Sequence, residues 1–274
     1  MNSFFTISGY SKMSLQLYNR SAMLTHLSSA IGFGTYFLLS NTSTPLGVDL
    51  SIREHKLTVT DTLGNPSYSY TSEQTGIVTL KQIQALLISF FLITAGFHAY
   101  YYLADGSISH QYSEMIKSKN NYLRWIEYSI SATIMLYIIA YISGTKDRNI
   151  YYLITATNVA MMAQGQWIEE AVRDKKQWCV PMCTAFLLLL TEFYVIYRDF
   201  KRRSMVENEN GFKIKVTLST SLLVMFLFFL MFGFIALYGV LSGQEYYYIE
   251  VMYIFASLIA KNWLARYLAV FVIN

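Results

Sequence analysis

The chain has 274 residues, of which 54% are hydrophobic, 16% aromatic and only 14% charged. A soluble domain carries about 25% charged residues, so the composition excludes an ordinary soluble globule. The formal net charge of +4 gives no sign of a nucleic-acid partner. Cys179 and Cys183 stand one helical turn apart at the start of an apolar run, which does not support a disulfide framework and reads as two small thiols buried in a membrane helix, with a metal pair as the alternative.

Taken in order, seven apolar segments are predicted: Leu17 to Ser40, Gln82 to Ala104, Tyr122 to Ser143, Ile150 to Ile168, Val180 to Tyr197, Val216 to Leu241 and Tyr246 to Ile273. Each is near the ~20 residues that cross a bilayer, and helices are the form that satisfies its own backbone there. The expected fold is an all-α seven-transmembrane-helix bundle forming one membrane domain over residues 1–274. The first residues lack a cleavable signal pattern, so the first span is expected to be its own anchor.

One connection is long, residues 41–80. Lys56-Leu57-Thr58-Val59-Thr60 and Ser67-Tyr68-Ser69-Tyr70-Thr71 flank the turn residues Gly64-Asn65-Pro66, which predicts a β-hairpin outside the membrane. A lone two-stranded hairpin is marginal, so it should pack on the membrane domain or on another subunit. Seven spans put the termini on opposite sides: A, the N-terminal side, and B. Basic residues fall on both, slightly favouring B as cytoplasmic by the positive-inside rule.

The last segment carries Lys261 about halfway along. A charge there costs at least ~2.5–3.5 kcal/mol on insertion scales. Snorkelling relieves a lysine near a helix end, and Lys261 is far from both ends. It must pair with a carboxylate, be neutral, or be used up as an imine. Ser257 lies four residues earlier on the same face.

The third segment opens Tyr122-Leu123-Arg124-Trp125-Ile126-Glu127-Tyr128-Ser129-Ile130-Ser131-Ala132-Thr133. Glu127 shares a face with Ser131 and is the natural partner of Lys261, either as a structural ion pair or as part of a functional site. Arg124 lies one turn nearer side A. His26 and His98 fall at a matching depth toward A, so His26, His98, Arg124 and Glu127 are expected to form a polar cavity with a proton-holding role beside the lysine. A histidine in an apolar helix is otherwise a hydrogen-bonded structural residue. Glu192, toward B, reads first as an interfacial residue beside Arg198 and Asp199. Were it buried, carboxylates would flank Lys261 toward both faces, as proton transfer across a membrane requires. The methionines and aromatics of the fourth and sixth segments, including Met161, Met162 and Phe226, read as lipid-facing or core residues, or as the walls of an elongated apolar pocket. No metal-ligand cluster, nucleophile motif or inverted repeat is detected, so neither a metal nor an enzyme activity is expected.

These residues carry a resemblance. Arg124 to Thr133, together with Ser257-Leu258-Ile259-Ala260-Lys261, the long hairpin loop, His26 and His98, resemble the heliorhodopsins, a branch of microbial-type retinal proteins. The resemblance covers nearly the whole chain and implies all-trans-retinal bound to Lys261 as a protonated Schiff base, with Glu127 as counterion. Ser257, Ser131, Tyr128, Met161 and Phe226 are then expected around the chromophore. It implies a homodimer with a cytoplasmic N terminus, against the slight charge bias, and a photoreceptor without transport. A light-gated proton conductor, as in viral members, stays open as the alternative, with Glu192 on the exit path.

Overall fold

The fold begins from seven long helices, each 22 to 31 residues, in a computed structural model that describes residues 9–39, 51–62, 65–103, 111–204 and 212–271. They are α1 (Gly9–Leu39), α2 (Leu80–Leu103), α4 (Tyr122–Ser143), α5 (Arg148–Arg173), α6 (Cys179–Ser204), α7 (Phe212–Ser242) and α8 (Tyr246–Phe271). Five of them, α1, α2, α4, α6 and α7, are long and apolar enough to cross a membrane. The other two, α5 and α8, carry polar residues that point into the protein, Asn158 and Glu169 on α5 and Glu250 and Lys261 on α8. The helix missed in the sequence is the short α3 (Gln111–Lys117), where a polar loop was expected. It is held by Tyr112, which is buried and stacks on Tyr101 with ring centroids 4.6 Å apart.

The long helices form a closed ring in the order α1, α2, α4, α5, α6, α7, α8, and α4 also touches α6 and α7. α4 is the central element: 61% of its apolar window is buried, against 11% for α7. Its ends are locally encoded. The Asn121 side chain caps its start by accepting from the Arg124 amide, and Gly144 ends it in the left-handed region at φ 91°. α2 starts with a reciprocal cap between Thr79 and Gln82, each side chain accepting from the other's backbone N–H.

The hairpin is longer than the sequence suggested. β1 (Ser51–Thr62) pairs antiparallel with β2 (Asn65–Ile77), and Thr62 pairs with Asn65, so Asn65 and Pro66 belong to the strand rather than to the turn. The turn residues 63–64 lie outside the described residues, as do 41–50 of the predicted loop. The base of the hairpin docks on the α4–α5 connection: the Arg53 amide donates to the Lys146 carbonyl at 2.7 Å, and Arg148 approaches Glu54 at 3.7 Å. Cys179 and Cys183 are free thiols on the outside of the bundle, not buried as the composition suggested.

Candidate functional site

Lys261 projects from α8 into the ring and is almost fully buried. Its Nζ donates to Thr94 Oγ1 at 2.5 Å, Glu127 Oε1 at 2.9 Å and Ser257 Oγ at 3.0 Å. Thr94 in turn donates to Glu127 Oε1 at 2.7 Å, and the Ser131 hydroxyl reaches the same oxygen at 3.5 Å. Nζ also lies 5.6 Å from the centre of the Tyr128 ring. α2, α4 and α8 thus converge on one ammonium and one carboxylate. Hydroxyls fill the remaining hydrogen-bonding positions, the condition under which a buried ion pair is tolerated. Thr94 was not foreseen. A threonine in an apolar helix bonds its own backbone as readily as a partner, and Thr133 and Thr157 both do so.

From Lys261 an apolar cavity runs between α4, α5, α6 and α7. Its walls include Trp125, Tyr128, Met161, Met162, Phe229 and Phe232, while Ser131, Ser257 and Lys261 supply the polar end. Two glycines make room for its rings. A Cβ on Gly165 would stand 2.3 Å from the Trp125 ring, and one on Gly233 would stand 2.8 Å from Phe186. The expectation for Phe226 is corrected. It packs on Phe193 and lines a separate groove between α6 and α7, and Phe229 and Phe232 take the cavity positions. α7 is apolar on all sides, so helical phase could not choose among its phenylalanines.

The two histidines are neighbours. His98 lies four residues from Thr94 on the same face of α2, and its ring stacks on His26 of α1 with centroids 5.8 Å apart and planes 7° apart. His98 Nδ1 pairs with Asn19 Oδ1 at 2.8 Å, while among the described residues neither ring nitrogen of His26 has a hydrogen-bond partner. Asn19, fully buried, was not foreseen.

Arg124 does not join that group, and this corrects the expectation. It forms ion pairs with Glu169 of α5 and Glu250 of α8. Its guanidinium lies 4.1 Å from the ring centre of Tyr253, 5.0 Å from Trp125 and 5.7 Å from Tyr246. Asn121 binds both carboxylates, through its backbone N–H to Glu169 and its side-chain amide to Glu250, each at 3.2 Å. Glu169 and Glu250 were missed because they sit near predicted span ends, where a carboxylate reads as solvated. The available signal was the helical stripe Glu250, Ser257, Lys261.

Glu192 is also corrected. It is 2% exposed, not interfacial. Thr157 of α5 donates to its Oε1 at 2.7 Å, and its Oε2 has no partner among the described residues. The neighbouring Asn158, fully buried, donates to Thr133 Oγ1 at 2.8 Å and leaves its own Oδ1 unpaired.

A ring of long helices closed around a buried amine, with an apolar cavity leading away from that amine, defines a membrane protein suited to an elongated apolar ligand held at one end. The Heliorhodopsin family model matches residues 15–272, nearly the whole chain. The chain belongs to that family and is a retinal-binding rhodopsin of the membrane. No curated protein sequence matches it at a significant level. The site fits retinal on its own chemistry: the primary amine of Lys261 stands with Ser131 and Ser257 at the polar end, and the other side chains of the lining are aliphatic, aromatic or methionine.

Proposed function

We propose that the protein is a photoreceptor that holds all-trans-retinal on Lys261 and signals through a light-driven change of shape. All seven long helices cross the membrane in this reading, and the N terminus is cytoplasmic. The protein works as a homodimer and carries out no enzymatic reaction. The observation that supports it most is the fully buried Lys261–Glu127 contact of 2.9 Å at the end of an apolar cavity. Bound to Lys261 as a protonated imine, retinal supplies visible absorption and a photoisomerisable double bond.

The chain's own residues do the rest. With retinal held on Lys261, the oxygens of Thr94, Glu127 and Ser257 that surround Nζ would accept a hydrogen bond from that nitrogen or balance its charge. Glu127 provides the negative charge that keeps that nitrogen protonated. Thr94 and Ser257 would orient it, and Ser131 reaches the same Glu127 oxygen. Tyr128 and Met161 hold the chain of the ligand. His26, with both ring nitrogens free, and His98 can take a proton displaced from this centre without passing it to solvent. A proton retained inside is what a sensor requires.

The test is a visible spectrum of protein supplied with all-trans-retinal, comparing wild type with Lys261→Ala and Glu127→Gln. A visible band lost in the first variant, and shifted or made pH-sensitive in the second, supports the reading. A colourless, folded wild type ends it.

One observation favours light-gated proton conduction as a second reading. Glu192 is buried with an unpaired oxygen, and Asn158 leaves another unpaired acceptor beside Thr157. Voltage-clamped photocurrents that vanish in Glu192→Gln would establish it, and their absence in the wild type would exclude it.

A further inference from the structure

The cavity and the Arg124 cluster occupy successive turns of the same helices. On α5, Gly165 lies against Trp125 and Glu169, four residues on, binds Arg124. On α8, Tyr253 lies under the guanidinium and Glu250, three residues earlier, binds it. On α4, Arg124 and Trp125 are consecutive. The cluster therefore clamps α4, α5 and α8 together one layer beyond the end wall of the cavity, next to α3.

Three aromatic rings lie against Arg124, and of these only Trp125 also lines the cavity. Its position is narrowly set. The ring occupies the space that a Cβ on Gly165 would need, with three ring carbons 2.3 to 2.6 Å from that point. It also meets Tyr128 and Tyr253 edge-on, at centroid distances of 6.5 Å and 6.0 Å. The α5 backbone blocks one direction and the cavity bounds another. A push from the cavity cannot be absorbed toward α5, so the indole must slide across the rings that support the guanidinium. Arginine cannot respond by losing its proton. It responds by moving, and its planar fork tolerates little displacement before its paired contacts weaken.

We propose that Trp125 couples the cavity to the Arg124 clamp, so that a change of ligand shape loosens Arg124 from Glu169 and Glu250 and frees the first turn of α4 beside α3. This rests on the retinal reading, which supplies the change of shape. The consequence is local. Asn121, which binds both carboxylates and caps α4, loses partners in the same event, and so does Tyr246, which donates to Glu169 at 3.0 Å. The released surface is the α3–α4 turn with the adjoining ends of α5 and α8.

The experiment is light-minus-dark infrared difference spectroscopy of the full chain with retinal, scaled to the visible photoproduct in the same sample. Glu169→Gln and Glu250→Gln identify the clamp's carboxylate bands. The expected result is a light-induced carboxylate change in the wild type that falls several-fold per photoproduct in Trp125→Phe and Trp125→Tyr. The same change should be retained per photoproduct in Tyr194→Phe, in the separate groove between α6 and α7. Scaling to photoproduct restricts the signal to folded, coloured molecules. A coloured wild type without a clamp signal overturns the coupling alone, as does a full signal in both Trp125 variants. A colourless wild type overturns the retinal reading and the coupling with it.

Discussion

Two buried charge centres share α4 and α8, and they are built differently. At Lys261 one cation meets one carboxylate, and small hydroxyls of Thr94, Ser257 and Ser131 complete the shell. At Arg124 one cation meets two carboxylates, and large rings supply its faces. The first centre is charge-balanced, opens on a cavity and uses the one cation that can give up a proton or form a covalent bond. The second sets its cation between two carboxylates and uses the cation that can do neither, in a geometry that ties three helices together. Burial alone does not make a charge chemical. The difference lies in whether the cation can change state and whether a ligand can reach it.

That contrast can be broken by substitution. The largest expected effect is from Arg124→Leu, which leaves two buried carboxylates unpaired. Removing one partner of a buried pair costs about 3–5 kcal/mol, and here two anions are stranded, so thermal unfolding in detergent should drop more than for any other change below. A melting temperature like the wild type's would mean that the clamp contributes no stability. Lys261→Ala strands one carboxylate, Glu127, rather than two. Its loss of stability should fall at or below that same about 3–5 kcal/mol, together with complete loss of the visible band. If Lys261→Ala proves more destabilising than Arg124→Leu, the ranking of the two centres is wrong.

Thr157→Val tests a polar contact away from both centres. It removes the donor to Glu192 Oε1 and leaves a buried carboxylate with no partner, a cost of about 1–3 kcal/mol. Unfolding midpoints of Thr157→Val and of Thr157→Val with Glu192→Leu should differ, the double variant recovering part of the loss. The smallest effect belongs to Arg148→Ala. The pair with Glu54 is about half exposed on both sides and 3.7 Å long, so its removal should change stability by less than about 1 kcal/mol. Hydrogen exchange at Arg53 should remain slow, because the hairpin is docked through its backbone.

How much of this was legible in the sequence follows from the cost of burying each residue type. Lys261 and Glu127 stood out because a charge deep in an apolar helix has no cheap explanation. His26 and His98 could be assigned a depth but not a separation, and the stacking of their rings depends on α1 and α2 being neighbours. Arg124 was legible as an intramembrane cation, but its partners were not: Glu169 and Glu250 lie 45 and 126 residues away on other helices. Glu192 was assigned to the interface by its neighbours Arg198 and Asp199, yet its side chain turns inward to Thr157. Phe226 and Phe229 differ only in rotation about an axis that the uniformly apolar α7 leaves undefined.

The sequence by itself therefore determined the membrane class, the long helices, the hairpin and the lysine–carboxylate pair, because lengths, alternation and the cost of a charge are local properties of the chain. The tertiary structure alone decided which hydroxyl completes the lysine's shell, which carboxylates hold Arg124, which aromatics face the cavity and whether Glu192 is buried. Those are set by the order and rotation of helices around α4. Along a helix as uniformly apolar as α7, nothing in the helix's own pattern fixes that rotation.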